Sequence, residues 1–245
     1  MSALYGDDLA HVHASGYGAL AEAAVVDVVP RLRAAGARTV IDVGCGAGVT
    51  TRALVEAGFS VLALEPSPAL SALARAAAPG ADVRCVSVYD ADLPPCDAVL
   101  AIGEVLSYHP PDVDADARLR AVVLAASRAL AAGGHLVFDV IVTGEPSLAA
   151  RGWNAGPDWA VLVETREDGR ELTRAIETFR TLDGVAYRRT REVHSVRTFD
   201  EPTIARWLGE AGFDVRVAGA YGSHPLATRR RAFFAVRSGA VFSGP

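Results

Sequence analysis

The sequence predicts an α/β fold: a doubly wound, mostly parallel seven-stranded sheet with an antiparallel β insertion after the fifth strand. Three observations predict it. Up to about residue 142, short β-branched runs alternate with stretches of helical period, the pattern of βαβ units joined by right-handed crossovers. One of those runs breaks into three glycines at alternating positions, Gly44, Gly46 and Gly48. Beyond residue 142 the pattern changes to runs rich in Val, Thr, Ile, Phe and Tyr, punctuated by Asp168-Gly169 and Asp183-Gly184, which favour hairpin turns.

Taken in order, apolar residues recur at helical spacing from Ala19 to Ala35, and Gly36 ends that run. Arg38 to Val43 is the first strand. Thr50 to Ala57 reads as a helix stopped by Gly58, and Phe59 to Leu64 as the second strand. Ser67 to Ala78 is helical up to Pro79-Gly80, and Asp82 to Val86 is the third strand. Asp97 to Ile102 is the fourth. Asp112 to Ala132 is a long helix capped by Gly133-Gly134, and Leu136 to Val142 is the fifth strand. Trp159 to Arg197 reads as an antiparallel meander within an excursion spanning residues 145–200. Glu201 to Glu210 is then a helix, with Phe213 to Ala220 and Arg231 to Arg237 as the closing strands. No internal repeat or low-complexity linker divides the 245 residues, which read as one domain with a helical region over residues 1–36.

Composition narrows the functional classes. Half of the residues are hydrophobic, enough for a sizeable core. All 24 basic residues are arginine, and the formal net charge is -5, which argues against a general nucleic-acid binder. Three cysteines, Cys45, Cys85 and Cys96, cannot all pair and show no metal-ligand spacing, so a reducing compartment is expected. The start of the chain lacks the pattern of a signal peptide, and Glu22, Asp27 and Arg128 interrupt the most apolar helices. A cytoplasmic protein without a membrane span or metal is the expectation.

The strongest feature is Val40-Ile41-Asp42-Val43-Gly44-Cys45-Gly46-Ala47-Gly48, with Glu65 ending the next strand 21 residues after Gly44. A carboxylate there can accept both hydroxyls of an adenosine ribose. A dinucleotide fingerprint shares much of this, but its third glycine falls one residue later, and Val49 occupies the place it gives to glycine or alanine. Asp42 adds negative charge beside the loop, which suits a cationic ligand better than a phosphate.

Asp42 to Gly48 resembles the first motif of class I S-adenosylmethionine-dependent methyltransferases, and Glu65-Pro66-Ser67-Pro68 resembles their acidic motif after the second strand. The resemblance implies S-adenosylmethionine as cofactor, with S-adenosylhomocysteine as product. It implies that Gly44, Cys45, Gly46 and Gly48 form the cofactor loop, with Gly44 and Gly46 against the methionine part. Asp42 would orient that loop or meet the ammonium, Glu65 would hold the ribose, and Pro66 and Leu70 would pack on adenine. Ser87 to Pro94 resembles the next motif, where Ser87, Val88 or Asp90 would meet the adenine edge. Ile102-Gly103-Glu104-Val105-Leu106 matches the segment that lines the methyl-transfer site, placing Gly103 and Glu104 there.

Methyl transfer needs alignment and exclusion of water more than a fixed set of catalytic groups. Glu104 is the first candidate for a functional carboxylate, with a helix-capping role as the alternative. Tyr108 and His109 follow it, and His109 serves equally as a base or a rigid rim residue before two prolines. His11, His13 and Tyr17 precede the first long helix, where relatives of this type fold a lid over the cofactor; His11 and Tyr17 are candidates for touching ligand. His194 and His224 read as structural or surface residues. Pro95-Cys96 stands before the fourth strand, so Cys96 reads as a buried strand residue instead of a nucleophile.

The meander's arginines and glutamates read as cross-strand ion pairs on a solvated face, or as an acceptor-binding cover. An exposed strand edge leaves a homodimer open. Arg229-Arg230-Arg231 could grip a phosphate or carboxylate, or form a charged turn. The expected activity is methyl transfer to nitrogen or oxygen of a small-molecule acceptor. The alternatives are a macromolecule methyltransferase acting on RNA or protein, an NAD-dependent oxidoreductase and a non-catalytic cofactor-binding protein.

Overall fold

A computed structural model describes residues 4–110 and 113–239 of the chain. Thirteen strands run in the order β1 (Thr39–Val43), β2 (Ser60–Leu64), β3 (Asp82–Arg84), β4 (Cys96–Ala101), β5 (Leu130–Ile141), β6 (Ala150–Ala155), β7 (Trp159–Asp168), β8 (Glu171–Thr181), β9 (Tyr187–Arg197), β10 (Phe213–Ala218), β11 (Ala220–Tyr221), β12 (His224–Pro225) and β13 (Arg230–Arg237). Six α-helices accompany them: α1 (Asp7–Gly16), α2 (Ala19–Ala34), α3 (Val49–Glu56), α4 (Pro68–Ala77), α5 (Ala115–Ala129) and α6 (Glu201–Glu210).

Seven strands form one sheet in the order β3-β2-β1-β4-β5-β13-β10. Strands β1 to β5 pair in parallel, whereas β13 runs antiparallel to both of its neighbours. The inner parallel strands β1, β2, β4 and β5 are largely apolar because both of their faces are covered, whereas the edge strand β3 exposes Asp82 and Arg84. On one face, Val40, Val61, Leu100 and Val137 pack under α2 and α3; on the other, Ile41, Val99, Leu136 and Phe138 pack under α5 and α6. The α4 N-terminus is capped by the Ser67 hydroxyl, which accepts from Leu70 N–H at 3.2 Å, and Pro68 opens the helix.

Three expectations change. The insertion has four strands, because β6 adds an edge strand that pairs with β7 and exposes all six of its residues. The long helix ends at Ala129, before Gly133-Gly134, because Leu130 turns extended and pairs with Cys96. The stretch from Phe213 to Ala220 divides, with Ala220–Tyr221 leaving the main sheet to pair with His224–Pro225. The expected start of that long helix at Asp112 lies outside the described residues.

The four-stranded sheet β6-β7-β8-β9 packs against α1 and the C-terminal edge of the large sheet. Leu9 and Val12 of α1 bury against Trp159, Val161 and Ile176. Asp8, 3% exposed, pairs with Arg188 at 2.5 Å and Arg180 at 3.6 Å. The arginines of the insertion therefore divide by face. Arg151, Arg166, Arg189 and Arg191 pair with Glu164 and Glu177 outside, while Arg174 and Arg180 reach inward to other elements. Arg229, Arg230 and Arg231 bind internal partners. Arg229 pairs with Glu167 at 2.7 Å, Arg230 with Glu104 at 2.5 Å and Arg231 with Glu201 at 3.4 Å, so the triplet is spent on the fold.

Glu104 joins the two sheets. Its buried carboxylate lies between Arg174 of β8 and Arg230 of β13, and these two charges hold it at a pKa of about 2 despite burial. Removing one partner of a buried ion pair leaves the other charge uncompensated, so Glu104→Gln should cost about 3–5 kcal/mol in denaturant unfolding. A carboxylate with a depressed folded pKa stabilises the protein above its unfolded pKa and loses that contribution as pH falls. Wild type should therefore lose about 3 kcal/mol between pH 4.5 and 2 that the Gln variant lacks. Equal acid profiles for the two proteins would overturn this role for Glu104.

Candidate functional site

β1 feeds the loop Gly44-Cys45-Gly46-Ala47-Gly48 into the gap above the ends of β2 and β4. Gly44 and Gly48 adopt positive φ, 63° and 87°, and each permits a close approach. A Cβ on Gly44 would lie 2.2 Å from the Val105 side chain, and one on Gly48 would lie 2.9 Å from the Ala74 backbone. Gly44 thus lets the segment after β4 close onto the loop, and Gly48 lets α4 press against the start of α3.

Glu65 anchors this loop. Its carboxylate accepts from Gly46 N–H at 3.0 Å and Ser67 N–H at 2.8 Å, and burial raises its pKa. Asp42, 1% exposed, accepts from the Thr51 hydroxyl at 2.6 Å, and burial pushes its pKa up to about 7. The Cys45 thiol between them is raised as well, chiefly by burial.

Beyond the loop lies an open pocket of about 160 Å³. Gly44 to Ala47 form its floor. Glu65, Pro66 and Leu70 line one rim, and Gly103, Val105 and Tyr108 line the wall. Tyr5, His13 and Tyr17 from the N-terminal segment cover it. That cover is tied down at Tyr5, whose carbonyl accepts from the Ser67 hydroxyl at 2.7 Å and whose N–H donates to Glu192 at 2.8 Å. The lining holds two carboxylates and no arginine. Such a pocket suits a ligand carrying positive charge and offers no arginine to a pyrophosphate.

The wall is built by a tight turn. Gly103 and Glu104 have φ of 99° and 55°, and the Asp139 carboxylate at the end of β5 accepts from both N–H groups, at 2.8 and 2.7 Å. The Tyr221 hydroxyl completes its shell at 2.9 Å. Glu104 then points back into the ion pairs described above, away from the pocket. Tyr108 faces the pocket, with its phenol oxygen 3.0 Å from Arg174 and 3.3 Å from the Tyr5 hydroxyl.

The structure brings Tyr17, Asp42, Gly44, Cys45, Gly46, Glu65, Pro66, Leu70, Gly103 and Tyr108 to one pocket. Other candidates lie elsewhere. Gly48 is behind the floor against Ala74. His11 turns outward to Asp158 at 2.8 Å. His109 turns away to Pro110 carbonyl and Glu171, at 2.8 and 3.2 Å. The Ser87 hydroxyl accepts from Tyr89 N–H, and Val88 packs into the core beside α5. With both carboxylate oxygens paired to arginines, Glu104 stays ionised and is a poor proton acceptor.

Tyr5 and Asp139 carried no role in the sequence reading, and Arg174 stood there only among the meander's arginines. For Asp139 the signal was present: a lone acid in the apolar run Leu136 to Val142 must find partners if buried. Tyr5 and Arg174 carried no such signal, because their contacts cross 103 and 70 residues. Among the described residues no cluster of three His, Cys, Asp or Glu side chains could hold a metal, and no helix is long and apolar enough to cross a membrane.

Comparison with known proteins extends these observations. A family model described as a methyltransferase domain matches residues 41–136, from the glycine loop to the start of β5's core. No curated protein sequence matches the chain. Among solved structures, it is similar to an S-adenosylmethionine-dependent methyltransferase from Clostridium acetobutylicum, with TM-score 0.79, 17% identity, and 94% of this chain and 98% of that one covered. It is also similar to a sugar N-methyltransferase from Streptoalloteichus, with TM-score 0.76, 24% identity and 97% of each chain covered. An amino pentose methyltransferase from Micromonospora echinaspora, solved with S-adenosylmethionine bound, matches with TM-score 0.74, 25% identity, and 97% and 99% coverage. Residues 41–136 thus carry a methyltransferase domain, and nearly the whole chain has the fold of class I S-adenosylmethionine-dependent methyltransferases.

Proposed function

We propose that this enzyme transfers a methyl group from S-adenosylmethionine to nitrogen or oxygen of a small-molecule acceptor, with amino sugars as the acceptors to test first. The observation that carries the reading is the pocket itself: a glycine floor, two buried carboxylates, no cationic side chain and an aromatic cover. The two sugar-methylating neighbours, matched over nearly all of this chain, insertion included, support the acceptor class. A dinucleotide would find no partner for its pyrophosphate, and no basic module offers a nucleic acid a surface.

In this reading Gly44 and Gly46 press their backbone against the methionine part and Asp42 supplies negative charge beneath its ammonium. Glu65 meets the ribose hydroxyls, and Pro66 and Leu70 pack on the adenine. S-adenosylmethionine supplies an electrophilic methyl group on its sulfonium. The protein supplies alignment and a dry site, which is enough for a large share of the rate. α1 is then a lid, held shut by Asp8 and Glu192, and the insertion is the cover over the acceptor.

Calorimetry with S-adenosylmethionine, S-adenosylhomocysteine and NAD tests the cofactor. Micromolar binding of the first two and none of the third is expected; binding of NAD alone, or of none, would overturn the reading. Gly46→Val should abolish binding of S-adenosylhomocysteine, and because Gly46 has a φ of 56° it should also cost about 1–2 kcal/mol in denaturant unfolding, short of unfolding the protein. The pH dependence is a separate expectation. Asp42 is protonated below about pH 7 and ionised above it, whereas the ligand's ammonium stays charged from pH 6 to 8. Affinity for S-adenosylhomocysteine should therefore rise across that range, by at most about tenfold per pH unit, and stay flat in Asp42→Asn.

A further inference from the structure

The cover of the pocket carries a polar group that no protein atom satisfies. His13, on α1, lines the pocket, with its ring edge-on to Tyr5 at 5.2 Å and stacked beside Tyr17 at 6.3 Å. Its Cε1 lies 3.3 Å from the position of a Cβ on Gly46. The Nδ1 atom is buried and has no hydrogen-bond partner in the protein. Buried polar groups are paired in nine cases or more out of ten, so an orphan on a pocket wall points to a hydrogen brought by a ligand.

The other proton-accepting groups around the pocket are engaged. Asp42 accepts from Thr51, and Glu65 accepts from Gly46 and Ser67. Glu104, behind the wall, is held by Arg174 and Arg230. The Tyr5 and Tyr108 phenols and the Cys45 thiol are all pushed upward by burial and keep their protons near neutrality. Burial acts oppositely on His13 and lowers its pKa, leaving a neutral imidazole with one free lone pair. A cationic ligand beside it would hold it neutral.

We infer that His13 is the base that takes the acceptor's proton during methyl transfer, an inference that rests on the methyltransferase reading above. His13 bridges the floor at Gly46 and, through Tyr5, the wall at Tyr108, the two surfaces between which this inference puts the methyl in transit. The acceptor's lone pair forms the new bond to the methyl carbon, and the carbon–sulfur bond breaks with its electron pair left on sulfur. The acceptor's proton passes to the imidazole nitrogen, which later gives it to water. The sequence offered three histidines near the lid and wall, and the structure leaves only this one facing the pocket.

Sinefungin tests this without an acceptor, because its carbon-borne amine stands where the methylsulfonium would be. Calorimetry would compare sinefungin with S-adenosylhomocysteine on wild type, His13→Ala and His13→Asn. S-adenosylhomocysteine affinity should stay within about threefold in all three proteins. Sinefungin should lose about tenfold or more in His13→Ala, the worth of a hydrogen bond to a charged group, and recover in His13→Asn, whose amide oxygen can accept it. With an amino-sugar acceptor and labelled methyl, His13→Asn should hold KM and lose about 10²–10⁴-fold in kcat, because an amide takes no proton. Equal loss of both ligands in His13→Ala would make His13 a partner of the cofactor's amino-acid end and overturn the inference, as would unchanged sinefungin binding or full turnover in His13→Asn. If wild type binds neither ligand, the methyltransferase reading fails and this inference fails with it.

Discussion

The buried carboxylate of Glu104 is the interaction on which the rest of the arrangement depends. It connects the segment after β4 with β8 of the insertion and the first residues of β13, three stretches that touch nowhere else in sequence. A charge taken out of water is costly unless it is paired, so neither arginine can move away without stranding it. The Asp139 carboxylate adds a second constraint by gripping the N–H groups of Gly103 and Glu104. Together they fix a turn of two consecutive positive-φ residues and with it the pocket wall that carries Val105 and Tyr108. The insertion is thereby bolted to the C-terminal edge of the parallel strands, and Arg174 reaches the Tyr108 phenol from it.

The pocket floor follows a different logic. Asp42, Cys45 and Glu65 are all buried around one loop, and burial raises the pKa of each. A cluster of buried acids without cationic partners is unfavourable for the empty fold, and the hydrogen bonds from Thr51, Gly46 and Ser67 offset only part of that cost. A ligand that brings positive charge and ribose hydroxyls supplies what the protein lacks. The contrast with Glu104 is instructive: of two equally buried glutamates, one is depressed by the arginines that tie it into the fold and the other is raised by burial beside the glycine loop.

Much of this was legible in the sequence. The seven strands of the large sheet, the glycine loop, the acid after β2 and the β insertion all follow from local pattern: the 2.0 and 3.6 residue periods, turn dipeptides and a motif contained within 24 residues. The bounds of α6, Glu201–Glu210, fall where the capping Asp200 and Pro202 put them. Errors appear where a tertiary contact overrides a local signal. Gly133-Gly134 looks like a helix cap, yet Leu130 leaves the helix early to pair with Cys96. β6 has no alternating pattern to announce it, because an edge strand exposed on both faces needs none.

The candidate site divides in the same way. Residues of the glycine loop or at strand ends, such as Gly44, Gly46, Glu65 and Gly103, reach the pocket as expected because their position in the chain sets their position in space. Side chains whose role depends on direction were not. Glu104, His11 and His109 stand at suggestive places, and each turns away from the pocket toward an arginine, an aspartate or a glutamate. The sequence by itself determined the fold class, the glycine loop after β1 and the acid after β2, because hydrophobic period and glycine placement are local properties. Only the tertiary structure decided which charges pair with one another and which remain for a ligand, because Arg174, Arg230 and Asp139 reach Glu104 and its turn from strands that sequence distance does not relate.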